Sequence, residues 1–284
     1  MTIWRVIILA AVNGLTELLP VSSSAHVVVA EKLMGMDPSS PEMTLLLVML
    51  HTGTMFAVIL YFWKQWHDAF FRSAAAFRDF AWLLILATVV TGVLGEALIK
   101  LIEKVWHVEV EQLFSHLEFI APALAVVGVL ILIAGAFEKR GSHPETSDGV
   151  GLNAKQASLI GAVQALCLPF RGFSRSGATI SAGMLAGVAK MRAEQFSFAL
   201  AVMITPAADA REALRLLKFE QAGGSETIAL ALLPGILGAF CAFLAGLVAL
   251  KWLSKWLEGG RWYLFGIYCL AAAVVVAYLH HAGF

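Results

Sequence analysis

Two polar, serine-rich segments contain the side chains of this sequence that could carry out chemistry. The first covers residues 13–26 and includes Glu17, the second covers residues 169–179 and includes Arg175, and apolar sequence flanks both. Ionisable groups in apolar surroundings are costly unless they face one another or a wet cavity, so they indicate a functional site. The two segments are therefore the candidate site of action.

The second segment combines the groups that bind anionic oxygen. Gly172 and Gly177 allow tight turns beside Arg175. Neighbouring hydroxyls are offered by Ser174, Ser176 and Thr179. Arginine gives planar, bidentate donors to phosphate, and a helix N-terminus adds free N–H groups and a positive dipole end. The sequence has no GxxxxGK[ST] motif, so the phosphate is not obviously that of a nucleotide.

The first segment adds a carboxylate, an imidazole and a nucleophile. Asn13 and Glu17 are four residues apart and share one face of a helix, ahead of the serines at 22–24. Glu17 could hold a divalent cation or act as a base, His26 could carry a proton, and Ser23 could attack phosphorus or hydrogen-bond its oxygens. An arginine from the second segment would then neutralise charge on the transferring phosphoryl group.

Structural explanations for the same residues are open at this point. Glu17 and Arg175 could form a salt bridge that only joins the two segments, and His26 could be a buried histidine with satisfied hydrogen bonds. Serines such as Ser22 commonly cap helices, and Arg171 could meet lipid head groups.

Three ionisable residues outside the two segments also need an explanation. His51 lies in an apolar run and either lines the site or takes part in helix packing through Gly53. Asp209 and Glu96 fall near the ends of apolar stretches, where solvation at the membrane interface is expected rather than chemistry.

Composition indicates a protein that crosses a membrane several times. The 284 residues are 60% apolar and 14% charged, with a mean hydropathy of +0.80. The net charge is zero, so no basic face points to nucleic acid as a partner. The three cysteines lack metal-ligand spacing and are expected to be small buried side chains without disulfides.

The apolar pattern predicts six full membrane spans and two re-entrant hairpins. Stretches long enough to cross about 30 Å of hydrocarbon cover residues 43–63, 80–100, 118–137, 194–210, 228–250 and 262–279. Four shorter segments are interrupted by Pro, Gly and Ser and are expected to form the hairpins. These segments cover residues 3–19, 22–36, 157–168 and 176–189.

The two hairpins resemble each other, which suggests an internal duplication within a single membrane domain, 1–284. In each, a helix ends near a proline, serines follow, and an apolar helix runs to a glycine. Repeat 1 covers about 1–115 with its hairpin at 3–36, and repeat 2 covers about 150–284 with its hairpin at 157–189. The expected fold is an all-α polytopic membrane protein with an inverted-topology repeat.

The distribution of Lys and Arg predicts the orientation. The side that holds Lys64, Arg72 and Arg78 has the modest excess and should be cytoplasmic. The first hairpin then enters from outside and the second from the cytoplasm, so their tips meet within the membrane. The site is expected at that interface.

Taken together, the motifs at 14–23 (GLTELLPVSS) with His26 and at 172–181 (GFSRSGATIS) are specific. The chain resembles the undecaprenyl-diphosphate phosphatase family, which comprises integral membrane enzymes linked to bacitracin resistance. The resemblance covers nearly the whole length of the chain.

The resemblance implies an enzyme of the bacterial cytoplasmic (inner) membrane. Its activity would convert a polyprenyl diphosphate lipid to the monophosphate, which supports reuse of the carrier in cell-wall synthesis. A divalent cation, Mg²⁺ or Ca²⁺, would be required, and the site would open to the outer, periplasmic face.

Site residues are expected in three groups. The catalytic group is Glu17, Ser23, His26 and Arg175. The substrate-binding group is Ser22, Arg171, Ser174, Ser176, Gly177 and Thr179. Glu17 and Asn13 are the expected metal ligands.

The sequence departs from the family pattern at four places. Asn13 stands where members usually carry a second acid, and an amide adds no charge and cannot act as a base. Phe170 and Arg171 separate Pro169 from the GFSRS motif, which lengthens the turn and adds a positive charge. Ala25 replaces a common glycine. His51 stands where an uncharged residue is expected.

The sequence is also compatible with a second function, that of a transporter. Inverted repeats with half-helices at the membrane midplane also occur in transporters, so the chain could move a polyprenyl phosphate or another small anion between leaflets. Prenyl chain length, the choice between a serine nucleophile and an activated water, and the formation of a homodimer are also left open.

Overall fold

The protein is built from α-helices. The computed structural model describes residues 2–38, 40–107, 110–113, 116–138, 152–221 and 227–283, and these ranges contain no β-strand. In chain order the helices are α1 (Ile3–Leu18), α2 (Ser23–Leu33), α3 (Pro41–Trp66), α4 (Ala74–Trp106), α5 (Val110–Leu113), α6 (Leu117–Glu138), α7 (Ala154–Leu166), α8 (Arg175–Leu185), α9 (Lys190–Gln221), α10 (Thr227–Glu258) and α11 (Trp262–His281). A π-helical turn, His67–Phe71, extends α3.

Polar caps fix where several of these helices begin. Ser40 caps α3, and Ser73 caps α4 by accepting a hydrogen bond from the Ala76 N–H at 3.1 Å. At the start of α7, Asn153 and Gln156 form a reciprocal capping box. Each cap accepts an N–H that the helix itself leaves unpaired, so these starts follow from local sequence.

Within the described ranges, five helical stretches are long and apolar enough to cross a membrane. They are Glu42–Phe71, Ala74–Trp106, Leu117–Phe137, Leu233–Trp256 and Trp262–His281. The prediction of an all-α polytopic membrane protein is confirmed. The sixth predicted span, 194–210, lies within the continuous helix α9 and stays a prediction.

Two pairs of short helices occupy the segments predicted as hairpins. Helices α1 and α2 form the first pair, and α7 and α8 form the second. The helices within each pair pack against each other. At 16, 11, 13 and 11 residues, they reach about 24, 17, 20 and 17 Å at the usual rise per residue. Each is therefore shorter than the hydrocarbon layer is thick.

The two halves of the chain exchange contacts. Helix α1 of the first half packs on α10 of the second, and α7 of the second half packs on α4 of the first. Helices α3 and α9 also pack together, as do α6 and α11. Such reciprocal packing is what a duplicated fold would give, and it packs each hairpin against a long helix of the other half.

Small residues allow the exchanged helices to approach closely. A Cβ atom on Gly14 of α1 would lie 2.6 Å from the Ala245 Cβ of α10, and Gly161 of α7 faces the Ala87 backbone of α4 in the same way. The Thr91 hydroxyl of α4 also donates to the Gly161 carbonyl at 2.9 Å. Close backbone approach through glycine is the packing mode that membrane helices favour.

Candidate active site

The two hairpin turns contact each other directly. The Ser176 hydroxyl donates to the Leu19 carbonyl at 3.1 Å, and the Gly172 N–H donates to Ser24 Oγ at 3.3 Å. These bonds join residues 157 and 148 positions apart in the chain. The two turns therefore meet as expected, and their place within the membrane stays a prediction.

Backbone geometry at both turns is specialised. Ser22 has φ +67°, in the left-handed region that L-residues seldom adopt, and it immediately precedes α2. Gly172 has φ +100°, and a Cβ there would lie 2.6 Å from the Ile120 carbonyl oxygen. Strained turns of this kind concentrate at functional sites. Both turns lead into helices, so the N-termini of α2 and α8 begin at this junction.

Glu17 and Arg175 form the centre of the site. Arg175 Nη2 lies 2.6 Å from Glu17 Oε1, and the Ser23 hydroxyl donates to Glu17 Oε2. The Glu17 side chain is 13% exposed and the Arg175 side chain 24% exposed. The carboxylate, guanidinium and hydroxyl predicted from sequence are thus brought together, one from each of α1, α8 and α2.

His51 and Asp209 extend this centre. His51 Nε2 lies 3.6 Å from Glu17 Oε2, and His51 Nδ1 lies 3.8 Å from Asp209 Oδ1. Both explanations for His51 find support, because the ring lines the site and a Cβ on the nearby Gly53 would clash with the Ala239 carbonyl oxygen of α10. The expectation of a solvated Asp209 at a span end is wrong, because its side chain is only 14% exposed. Glu96, in contrast, is 52% exposed and pairs with Lys100.

A threonine of α9 supports the arginine. Arg175 Nη1 donates to Thr205 Oγ1 at 3.4 Å, while Nη2 is bound to the carboxylate. Two partners on different helices therefore fix the guanidinium. Thr205 directly precedes Pro206, which lies inside α9.

His26 lies beside the centre and contacts different partners. Its Nδ1 is 2.7 Å from the Ser22 carbonyl, and its Nε2 is 2.7 Å from the Tyr268 hydroxyl. The ring also stacks on Tyr268 with a centroid separation of 5.6 Å. Because a carbonyl can only accept, Nδ1 donates, and the ring joins the first turn to α11.

The hydroxyls predicted to bind substrate all have contacts within the protein. Ser174 caps α8 by accepting from the Gly177 N–H at 3.2 Å. The fully buried Thr179 donates to the Arg175 carbonyl at 2.7 Å, and its hydroxyl lies 2.6 Å from Ser197 Oγ. Other hydroxyl contacts join Ser22 to Ser24 and Ser174 to Ser176. Their roles toward substrate stay predictions.

Arg171 and Asn13, two of the departures from the family pattern, lie in different surroundings. Arg171 is near the buried Glu31, close enough for its positive charge to act on that carboxylate. Asn13 is fully buried, and neither its amide oxygen nor its amide nitrogen has a hydrogen-bond partner among the described residues.

Sequence reasoning missed several members of the site. Thr205, Asp209 and Tyr268 were not among the candidates, although Asp209 follows an apolar stretch in which an ionisable residue is costly. Its place near the end of that stretch favoured solvation at the membrane interface instead. Nothing in the sequence marks the contact of Tyr268 with the first hairpin, 242 positions away.

This arrangement suits transfer of an anionic phosphoryl group. A hydroxyl bonded to a carboxylate is a nucleophile with its base, and a fixed guanidinium can neutralise developing negative charge. Two helix N-termini add positive dipole ends at the same junction. Among the described residues no three His, Cys, Asp or Glu side chains converge into a metal cage.

Known proteins with similar sequences place the chain in one family. The family model described as bacitracin resistance protein BacA matches residues 6–275. The chain is 55% identical to undecaprenyl-diphosphatase 2 of Acinetobacter baylyi, over 97% of both chains. It is 35% identical to undecaprenyl-diphosphatase 2 of Burkholderia orbicola and 36% identical to undecaprenyl-diphosphatase 1 of Burkholderia pseudomallei, each over 96% of this chain and 95% of the relative. On these matches and on the two motifs that meet at the hairpin junction, the chain belongs to the bacitracin resistance protein BacA family.

Proposed function

We propose that this membrane protein hydrolyses undecaprenyl diphosphate to undecaprenyl phosphate and inorganic phosphate, with Glu17, Ser23 and Arg175 as its catalytic centre. The product is the reusable form of the lipid carrier for cell-wall synthesis, and its recycling gives resistance to bacitracin. The similarity to three undecaprenyl-diphosphatases over nearly the whole chain favours hydrolysis over the transport alternative.

One observation carries the assignment of the centre. A single carboxylate, Glu17, lies at the junction of the two hairpin turns. It accepts a hydrogen bond from Ser23 and forms an ion pair with Arg175. The three side chains come from three helices and two halves of the chain. A salt bridge that only joined the halves would not need the hydroxyl on the second carboxylate oxygen.

The first chemical step is attack by Ser23 on the terminal phosphorus. Glu17 Oε2 accepts the proton from Ser23 Oγ as the oxygen–phosphorus bond forms. The bond between the terminal phosphorus and the bridging oxygen breaks, and the lipid monophosphate leaves with the electron pair and takes the proton from Glu17. Arg175 neutralises charge on the transferring group, as arginine does in other phosphoryl transfers.

The second step releases the phosphate from Ser23. A water attacks the phosphoserine, Glu17 accepts the proton of that water, and Ser23 Oγ leaves and recovers a proton from Glu17. The phosphate departs and the resting contact of Ser23 with Glu17 is restored. His26 supports both steps by fixing the Ser22 backbone just before the nucleophile.

Glu17 and Asn13 are the residues that would hold a divalent cation. Both lie on one face of α1, and the Asn13 amide oxygen is buried without a hydrogen-bond partner. An unpaired oxygen ligand one turn from a carboxylate fits Mg²⁺, which protein sites commonly hold with one or two side chains plus substrate phosphates. When bound, the ion would neutralise charge on the diphosphate.

The lipid reaches the site from the bilayer, and the site opens to the outer face of the bacterial inner membrane. This orientation rests on the modest excess of Lys and Arg on the side assigned to the cytoplasm. Glu17, Arg175 and His51 are each partly exposed, with side-chain exposures of 13%, 24% and 31%. A polar head group can therefore reach them.

Phosphate release from undecaprenyl diphosphate tests this function with purified protein in detergent. We expect release that requires Mg²⁺ or Ca²⁺ and stops with EDTA. Arg175→Ala should lower kcat by about 10²- to 10³-fold, the usual loss for a donor that stabilises transition-state charge. Glu17→Gln and Ser23→Ala should be similarly impaired, because each removes the base or the nucleophile.

Arg78→Ala is the matched control, since Arg78 is 79% exposed. It should keep full activity. Thermal unfolding should show that the inactive variants are folded. Release from well-folded Arg175→Ala at the wild-type rate would contradict the proposed centre, and release from Ser23→Ala at that rate would assign the attack to water instead of serine.

A further inference from the structure

His51 lies between two carboxylates. Its Nε2 faces Glu17 Oε2 at 3.6 Å, and its Nδ1 faces Asp209 Oδ1 at 3.8 Å. Glu17 Oε2 is the same oxygen that accepts the Ser23 hydrogen bond. The ring therefore contacts the oxygen that serves the nucleophile, and Asp209 contacts the far side of the ring.

Asp209 is itself held in place. Its second oxygen, Oδ2, accepts a hydrogen bond from Thr52 Oγ1 at 3.3 Å. Thr52 Oγ1 also lies 3.0 Å from the Val48 carbonyl of its own helix, which fixes the hydroxyl. Both oxygens of Asp209 thus point toward α3, although the residue belongs to α9.

The surroundings leave the ring few other polar partners. The charged groups that act on His51 are Glu17 from α1, Asp209 from α9 and Arg175 from α8. Helix α10 also packs on α3. Its Ala239 backbone lies against Gly53, two residues after His51. A partly exposed ring without Asp209 would be free to rotate away from Glu17.

We propose that Asp209 is a positioning residue of the phosphatase, which holds His51 against the Glu17 carboxylate and so keeps that carboxylate aligned with Ser23. When the two ring nitrogens of a histidine contact different groups, the group on the side away from the reaction fixes the orientation of the ring. Functional sites commonly contain residues of this kind, which hold a contacting side chain in place by hydrogen bonds or charge. Asp209 thereby adds a second carboxylate to the site from α9, whereas Asn13 provides only an amide from α1.

A double-mutant cycle on steady-state kinetics tests this role, which rests on the proposed function. The variants are Asp209→Ala, His51→Ala, the double variant and Thr52→Val. We expect Asp209→Ala to lower kcat roughly tenfold to hundredfold, the usual effect of removing an outer partner, with KM unchanged. The double variant should match His51→Ala, because a residue that acts only through His51 has no effect once the ring is gone.

Thr52→Val should give a smaller loss than Asp209→Ala, since it frees only one oxygen of the carboxylate. Asp79→Ala is the matched control, because Asp79 is a 61% exposed acid. Should Asp209→Ala unfold, Asp209→Asn, which keeps the size of the side chain, replaces it in the same cycle.

Two outcomes would overturn the role of Asp209. One is wild-type kcat in Asp209→Ala, and the other is a double variant whose loss is the product of the two single losses. Arg175→Ala, measured alongside, separates this inference from the proposed function. An inactive Arg175→Ala with an unaffected Asp209→Ala refutes the positioning role alone, whereas an active Arg175→Ala refutes the catalytic centre.

Discussion

Glu17 and Asn13 lie one turn apart on the same helix and have opposite surroundings. Glu17 has three partners, Arg175, Ser23 and His51. Asn13 is fully buried, and both its amide atoms are unpaired in the part of the chain that the structure describes. A buried polar group without a partner is destabilising, so its presence at a site indicates a role that the resting protein does not display.

Replacement of Asn13 by leucine separates stability from cation binding. Asn13→Leu has a similar size and removes two unpaired atoms, so we expect the free energy of unfolding to rise by about 1–3 kcal/mol. If the amide is a cation ligand, the same variant should need more Mg²⁺ for half-maximal phosphate release. Thermal unfolding and a Mg²⁺ titration of activity measure the two effects.

Asn13→Asp is the companion variant, because it restores an acid at the same size. It should lower the Mg²⁺ concentration needed for half-maximal release. An unchanged Mg²⁺ titration in both variants would exclude Asn13 from the cation site.

At the scale of elements, the exchanged helix pairs set the position of Glu17. Helix α1 is seated on α10 through Gly14, three residues before Glu17. The turn after α1 is fixed by Ser176, which donates to the Leu19 carbonyl. Because Glu17 lies between these two contacts, movement of α1 against α10 would displace the carboxylate from Arg175.

Gly14→Ala should therefore damage both packing and catalysis. The added Cβ would lie 2.6 Å from Ala245 Cβ and 2.7 Å from the Ala242 carbonyl oxygen. Overpacking of this kind costs about 1–3 kcal/mol, which exceeds the gain of about 1 kcal/mol in helix propensity. We expect a lower unfolding temperature and a lower kcat.

Gly92→Ala is the matched control, since a Cβ on Gly92 of α4 has no heavy atom within 4 Å. It should raise the unfolding temperature slightly and leave kcat unchanged. Equal unfolding temperatures and rates for the two variants would show that the contact of α1 with α10 does not position Glu17.

At the scale of the whole molecule, the inverted repeat stays a prediction, and it would open the two hairpins to opposite faces of the membrane. The last turns of α2 and α8 would be equivalent positions in the two predicted repeats, and each carries an exposed leucine. Leu33 is 56% exposed and Leu185 is 37% exposed. Both lie at the ends of the helices that lead away from the hairpin junction.

Cysteine labelling tests this topology. In a background without the native cysteines at 167, 241 and 269, Leu33→Cys and Leu185→Cys are each exposed to a membrane-impermeant maleimide. In intact spheroplasts we expect Leu33→Cys to react and Leu185→Cys to react only after permeabilisation. Reaction of both from one face would rule out the inverted arrangement, and the reverse pattern would invert the orientation of the protein.

The motifs predict much of the candidate site from the sequence alone. Glu17, Ser23 and Arg175 are conspicuous because ionisable and hydroxyl side chains stand in apolar sequence, and the four short hairpin helices follow from Pro, Gly and Ser interruptions. These signals are local, since the cost of a polar group in apolar surroundings and the preference of a turn depend on neighbours in the chain.

Only the tertiary structure decided which side chains share the site with them. His51 came from α3, Thr205 and Asp209 from α9, and Tyr268 from α11. The position of Asp209 near the end of an apolar stretch predicts a solvated residue, yet its side chain lies against His51. Sequence by itself determined the membrane class, the helices and the polar turns, because these depend on hydropathy and local backbone preference. The exchange of helices between the two halves decided the rest, because packing of α1 on α10 and α7 on α4 joins residues far apart in the chain.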